Sequence, residues 1–258
     1  MAFSRTYDED EPQRVNRWLA QNGVCSRREA EGLIADGLVS IDGETVQDVG
    51  RKISKGQTLE LADRGAARLQ DKLCVVMHKP MGYVSAQPEP GQIPAVRLLT
   101  QSALIGKSPI IPNPRMSLPA LGRLDLDSRG LLILSDDGVL AKAIIGPNSE
   151  MDKEYLVEIA GRIDDRKLDL LRYGLQLDGR QLRPAEVFRV NDRKLRFILN
   201  EGRNRQIRRM CELVDLRVVD LLRIRVGPIE LGSLPEGKWR VMAPWEREAM
   251  IKAGAGLG

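Results

Sequence analysis

The sequence predicts an α+β protein in two parts: a small helix–helix–hairpin module, then a larger domain built on a mostly antiparallel mixed sheet. Three observations lead there. Apolar residues recur at helical spacing over the first forty residues, whereas after residue 72 short apolar or alternating runs outnumber helical segments. Turn residues join several of those runs at hairpin distance. Charge also divides unevenly. Residues 1–64 hold 9 basic and 12 acidic side chains and the rest hold 31 and 24, so attraction for phosphates is expected in the second part.

Residues 1–12 are polar and acidic and read as a mobile tail. In the module, residues 13–62, Val15, Trp18 and Leu19 share one helical face until Gly23 breaks the pattern. Ser26-Arg27-Arg28-Glu29 is a capping box: the serine oxygen accepts from a free helix amide while Glu29 reaches back. Ala30, Leu33 and Ile34 supply the buried stripe of this second helix, and Gly37 ends it. Val39 and Ile41 then alternate, Asp42-Gly43 makes a tight turn, and Glu44-Thr45-Val46 returns. Residues 63–72, polar and containing Gly65, read as a linker.

The second domain, residues 73–250, opens with an apolar strand over 73–77 that Lys79-Pro80-Met81-Gly82 ends. Residues 86–120 hold seven of the 14 prolines (Pro88, Pro90, Pro94, Pro109, Pro112, Pro114 and Pro119), so most of that stretch is expected to be loop. Strands are expected over 131–134, 155–159 and 218–226, and helices over 138–145, 165–173 and 205–214. Residues 187–190 and 195–199 flank the hairpin turn Asn191-Asp192. Residues 251–258 read as a second tail.

Composition narrows the chemistry. With 258 residues, 42% hydrophobic and 29% charged, the chain can bury a core in each part. Cys25, Cys74 and Cys211 lie far apart and His78 is the only histidine, so neither a disulfide framework nor a metal site is expected. A Ser-His-Asp triad would have to use His78. The N-terminus lacks an apolar secretory core and nowhere do 18 apolar residues run together, which points to a cytoplasmic chain with no membrane partner, expected to act as a monomer.

Three clusters stand out. Arg14, Arg17, Arg27 and Arg28 lie on or at the starts of the two module helices, where free backbone amides add to their attraction for phosphate; a solvated helix face has the same look. The second cluster, Gly122-Arg123-Leu124-Asp125-Leu126-Asp127-Ser128-Arg129-Gly130, frames a carboxylate between glycines ahead of a buried strand. An aspartate there is most often a turn residue, and composition does not choose between Asp125 and Asp127. The third is Arg203-Asn204-Arg205-Gln206-Ile207-Arg208-Arg209, whose four arginines cannot all serve an apolar core. Either Glu201 and Glu212 neutralise them, or they face RNA together with Arg223 and Arg225.

The module, from Arg14 through Gly23 and Ser26 to Gly43, resembles an S4 RNA-binding domain. Gly122-Arg123-Leu124-Asp125, Lys153-Glu154-Tyr155-Leu156-Val157, Gly202 through Met210 and Leu234-Pro235-Glu236-Gly237-Lys238-Trp239-Arg240 resemble, in this order, the RsuA family of pseudouridine synthases. The stretch from Asn204 to Glu212 is most similar to the RluF branch, which implies ribosomal RNA as partner, the large-subunit 23S molecule ahead of 16S or tRNA. The resemblance implies uridine isomerisation with base extrusion and without a cofactor or metal. It implies Asp125 as nucleophile, Tyr155 stacking on the uracil, Arg208 as the charge partner of Asp125, and Arg123 filling the space left by the extruded uridine. Ile207 would form an apolar wall. Arg14, Arg17, Arg27, Arg28, Arg203, Asn204 and Arg205 would contact RNA. Many relatives have asparagine where this chain has His78, and some have histidine where it has Arg205.

Overall fold

The computed structural model describes residues 3–254 apart from residues 71, 86, 87, 114, 115, 117 and 148, so Pro114 of the proline-rich stretch and the end of the second tail lie outside the described residues. The chain forms two compact bodies. One comprises residues 1–73 with 135–142, the other residues 74–134 with 143–258.

In the first body, chain order runs β1 (Ser4–Thr6), β2 (Gln13–Arg14), α1 (Val15–Gln21), α2 (Arg27–Ala35), β3 (Val39–Ile41), β4 (Glu44–Thr45), β5 (Lys52–Ile53), β6 (Thr58–Leu61) and α3 (Asp63–Gln70). The capping box at Ser26 forms as expected: Glu29 N donates to Ser26 Oγ at 3.3 Å, and Ser26 N donates to Glu29 Oε2 at 2.7 Å. Val15, Trp18, Leu19, Ala30, Leu33 and Ile34 meet Val39, Ile41, Leu59 and Leu61 in one buried cluster.

Two expectations fail here. The acidic tail is not loose: β1 pairs antiparallel with β6, Ser4 opposite Glu60, and Tyr7 is fully buried edge-on against Trp18 at 5.7 Å between centroids. Strand pairing is made by backbone, so polar composition conceals it, and one tyrosine anchors the rest. The linker is likewise a helix, α3, ion-paired through Arg68 to Asp36, with Leu69 packed on the core. Gly65 marks a close approach and not a break: a Cβ there would lie 3.3 Å from Leu38 Cβ.

The second body contains β7 (Cys74–Lys79), β8 (Tyr83–Val84), β9 (Ile93–Pro94), β10 (Arg129–Ser135, its last residue in the first body), α4 (Gly138–Ile145, shared between the bodies), β11 (Lys153–Ala160) and α5 (Asp165–Arg172). It continues with β12 (Gln176–Leu177), β13 (Arg180–Gln181), β14 (Glu186–Asn191), β15 (Lys194–Leu199), α6 (Gln206–Glu212), β16 (Arg217–Val226), β17 (Ile229–Glu230), β18 (Trp239–Val241) and α7 (Pro244–Gly254). Its main sheet has the order β14-β15-β11-β16-β10-β7-β18, with β17 on β16. Pairing is mostly antiparallel, with β10 and β16 parallel, so the predicted class is the observed one. One face buries Val157, Val187, Leu195, Phe197 and Leu221 in a cluster with Leu168 and Leu171 of α5 and Met210 of α6. The short pair β12–β13 and the terminal β18 and α7 escaped the sequence reading, and α7 extends four residues into the expected tail. Described parts of the proline-rich stretch are loop, apart from β9 and the 3-10 turns Ala95–Leu98 and Gln101–Ala103.

The parallel pair fixes the site. Gly130 sits opposite Arg223 with φ of 114°, and a Cβ there would lie 2.2 Å from Arg223 O. Only glycine permits that approach. It holds the loop before β10 against the middle of β16.

Candidate functional site

The loop carrying Asp125 is held from below. Ser85 Oγ donates to Leu124 O at 2.8 Å and accepts from Leu124 N at 3.0 Å. Gly82 N donates to Leu126 O at 2.8 Å, and Ser128 N closes a turn onto Asp125 O at 3.1 Å. Fully buried Lys79 ties the turn between β7 and β8 by donating to Pro80 O and Tyr83 O at 2.9 and 2.8 Å. Burial pushes its ammonium down to about 8, against the opposing pull of Asp125 and Asp127.

Above this loop lies a cleft of about 540 Å³ lined by Arg123, Asp125, Tyr155, Asn204, Arg205, Ile207 and Arg208 among others, so side chains 85 residues apart in sequence share one wall. Lys153, Arg183, Arg203 and Arg223 add further positive charge, and Asp125 and Glu201 are the only acidic residues in that lining. An excess of that kind suits an anionic ligand. Tyr155 is half-buried on β11, between Phe197 of β15 and Arg223 of β16, presenting its ring from the core face of the sheet.

The arginines are engaged differently from the expectation. Arg208 forms no ion pair with Asp125; its Nη2 donates to Asp127 O at 2.6 Å and Ser128 Oγ at 3.3 Å, and its Nε lies 3.3 Å from Asp127 Oδ2. Arg205 takes the neighbouring position, donating to both carboxylate oxygens of Asp127 at 3.0 and 2.8 Å and lying 3.8 Å from Asp125 Oδ2. Its backbone is left-handed, φ 49° and ψ 34°, at the residue before α6, which turns the side chain toward the aspartates. The hydrogen bonds from Arg205, with the charge of Arg208, hold the Asp127 carboxyl below the usual carboxylate range.

Arg203 is spent on structure: it donates to the carbonyls of Leu177, Arg180 and Gln181, clamping the β12–β13 pair. Arg209 is paired with Asp178 in the turn between those strands. The arginine-rich segment is therefore chiefly a set of internal ties. Glu201 meets Arg203 at 3.5 Å, as one reading of the sequence had it. The other partners lie far away in sequence, and Glu212 forms no ion pair with these arginines. Arg123 and Asn204 are exposed at the cleft. His78 is buried, its Nδ1 2.8 Å from Leu234 O, and it does not line the cleft.

In the first body Arg14, Arg17 and Arg27 meet Lys52, Glu9 and Glu11 around a separate hollow, while Arg28 is exposed outside its lining. The sequence reading gave no site role to Lys79, Ser85 or Lys153; Arg223, read there as RNA-facing, is buried and lines the cleft.

The RNA pseudouridylate synthase family profile matches residues 73–213, and the S4 domain profile matches residues 13–59. The chain is 36% identical to "Ribosomal small subunit pseudouridine synthase A" of Pseudomonas aeruginosa, over 88% of this chain and 95% of that one. It is 30% identical to "Ribosomal large subunit pseudouridine synthase B" of Bacillus subtilis, over 91% and 93%. The crystal structure of a pseudouridylate synthase shares the fold, with a TM-score of 0.61 at 24% identity, covering 92% of this chain and 99% of that one.

Proposed function

The chain belongs to the RNA pseudouridylate synthase family and carries an S4 domain, and from that premise we propose that it isomerises particular uridines of ribosomal RNA, with Asp125 as the nucleophile. The observation that carries the reading is the meeting of Asp125, Tyr155, Ile207 and two arginines in one basic cleft. Relatives are named for either ribosomal subunit; the similarity of Asn204 to Glu212 to the RluF branch favours 23S over 16S RNA, with tRNA behind both.

In this reading the target uridine leaves its stack, at a cost of a few kcal/mol. Its base lies on Tyr155 against Ile207, and Arg123 at the cleft occupies the space vacated. Asp125 must be ionised to attack. Arg205, 3.8 Å away, supplies the nearer positive charge, with Arg208 behind it holding Asp127 and Ser128. The isomerisation neither oxidises nor reduces the base and returns the same atoms, so it calls for no cofactor. Arg14, Arg17, Arg27 and Arg28 of the S4 domain contact RNA phosphates. We place the reaction in the cytoplasm, carried out by a monomer.

Ribosomal RNA tritiated at uridine C5 tests the proposal. Isomerisation exchanges that hydrogen, so the purified protein should release tritium, and separate 23S, 16S and tRNA substrates should rank in that order. No release from any of them would overturn the assignment.

A further inference from the structure

Two cations in the cleft form no ion pair with a carboxylate. Arg223 is 2% exposed and bonds only carbonyls: its Nε donates to Leu131 O at 2.8 Å and its Nη1 to Arg123 O at 3.2 Å. Lys153 Nζ donates to Met151 O at 2.6 Å. Among the described residues neither forms an ion pair. Asp152 pairs with Arg225 at 2.7 Å, and Asp127 is held by Arg205 and Arg208. Burial, and after it the Arg223 charge, push the Lys153 ammonium down to about 8 against the opposing pull of Asp152, which is itself paired with Arg225. Like charges brought together away from water lose hydration and repel, so the pair is unfavourable until an anion joins it. Neutral donors would satisfy the same carbonyls without that cost.

Strand register places both beside Tyr155. Lys153 precedes it by two residues on β11, so the two share a face about 7 Å apart, and Arg223 is the cross-strand partner of Tyr155. A nucleotide with its base on Tyr155 therefore has these two cations, on its own strand and on the next, as the nearest positive charges of the sheet face. A neutral uracil does not call for two cations, whereas a phosphodiester accepts from the ammonium as a point charge and from the planar guanidinium. We propose that Lys153 and Arg223 form a seat for the backbone phosphate of the nucleotide being isomerised. The proposal rests on the reading of Tyr155 as the platform for the target base.

Lysine acetylation of the full-length protein at pH 8, read by mass spectrometry, tests it. Inorganic phosphate, 5′-uridine monophosphate, uridine and chloride are compared at matched ionic strength. Phosphate and the monophosphate should slow modification of Lys153 about tenfold or more, because a bound anion raises the ammonium pKa and removes free amine. Uridine and chloride should not, and exposed Lys107 should react equally throughout. Equal protection by phosphate and chloride, or by uridine and its monophosphate, would overturn the seat. By calorimetry, Lys153→Met should lose the preference for the monophosphate over uridine and Lys153→Arg should keep it; a preference intact in a folded Lys153→Met protein also rejects the proposal. Tritium release by the unaltered protein runs alongside. Release without phosphate protection rejects the seat and leaves the enzyme reading standing; protection without release does the reverse.

Discussion

Arg205 grips Asp127 through two hydrogen bonds, at 3.0 and 2.8 Å, while Asp125, two residues earlier, lies 3.8 Å from the same guanidinium. The two carboxylates therefore have different occupations. Asp127 is held by two arginines, whereas Asp125 meets Arg205 only at 3.8 Å.

That division makes the first prediction specific. Asp125→Asn should abolish tritium release while RNA affinity, measured by filter binding, stays within a few fold. The amide keeps the shape and loses the nucleophile. Retained turnover would move the role to Asp127.

Asp127→Asn should behave differently. It frees Arg205 and Arg208, so turnover should fall but not vanish, and stability at neutral pH should fall by about 1 kcal/mol or less for a pair this exposed. The sign with pH follows from the depressed Asp127 pKa. The stabilisation is complete above the unfolded value, roughly 3.9, and is lost as pH falls through the lower folded value. Urea unfolding should show a constant gap between the two proteins from about pH 5 to 8, closing near pH 2. A gap that persists in acid would show that the loss is not electrostatic.

Tyr155→Phe should bind RNA normally and lose turnover only if the hydroxyl carries a proton, whereas Tyr155→Ala should lose both affinity and turnover. Single-turnover rates with binding isotherms separate the two. Identical behaviour of the variants would remove stacking from the account.

Gly130→Ala should cost about 3 kcal/mol or more, since the new methyl would meet Arg223 backbone and the positive φ would be strained. Thermal denaturation reads this directly. A transition within a degree or two of the unaltered protein, by the usual size scaling, would mean that β10 and β16 part easily.

Replacing Arg14, Arg17 and Arg27 together by glutamine should flatten the dependence of log affinity on log salt by roughly 2.1 to 2.7 units if each meets one phosphate. The chemical step at saturating protein should be unchanged. An unaltered slope would show that the S4 domain anchors RNA by other means.

Much of this was legible in the chain. The capping box at Ser26, the hairpin at Asn191-Asp192 and the helix over 138–145 are local, decided by neighbours within a few residues, and they formed where spacing put them. Polar composition misled at residues 4–7 and 63–70, where backbone pairing, one buried tyrosine and a packing glycine outweigh it. The α+β class and the order of the blocks around Asp125, Tyr155 and Arg208 were also readable.

By itself, then, the sequence determined which residue types the cleft would contain and in which order. What only the tertiary structure decided is their pairing: Arg205 and not Arg208 ion-paired with Asp125, Arg203 bound to the β12–β13 pair and Arg209 to the turn between them, Lys153 and Arg223 donating to carbonyls and not to carboxylates. Such partners lie tens of residues apart along the chain. Their choice depends on a left-handed turn at residue 205, on the close approach at Gly130, and on which charges burial strips of water. None of these is a property of a short stretch of sequence.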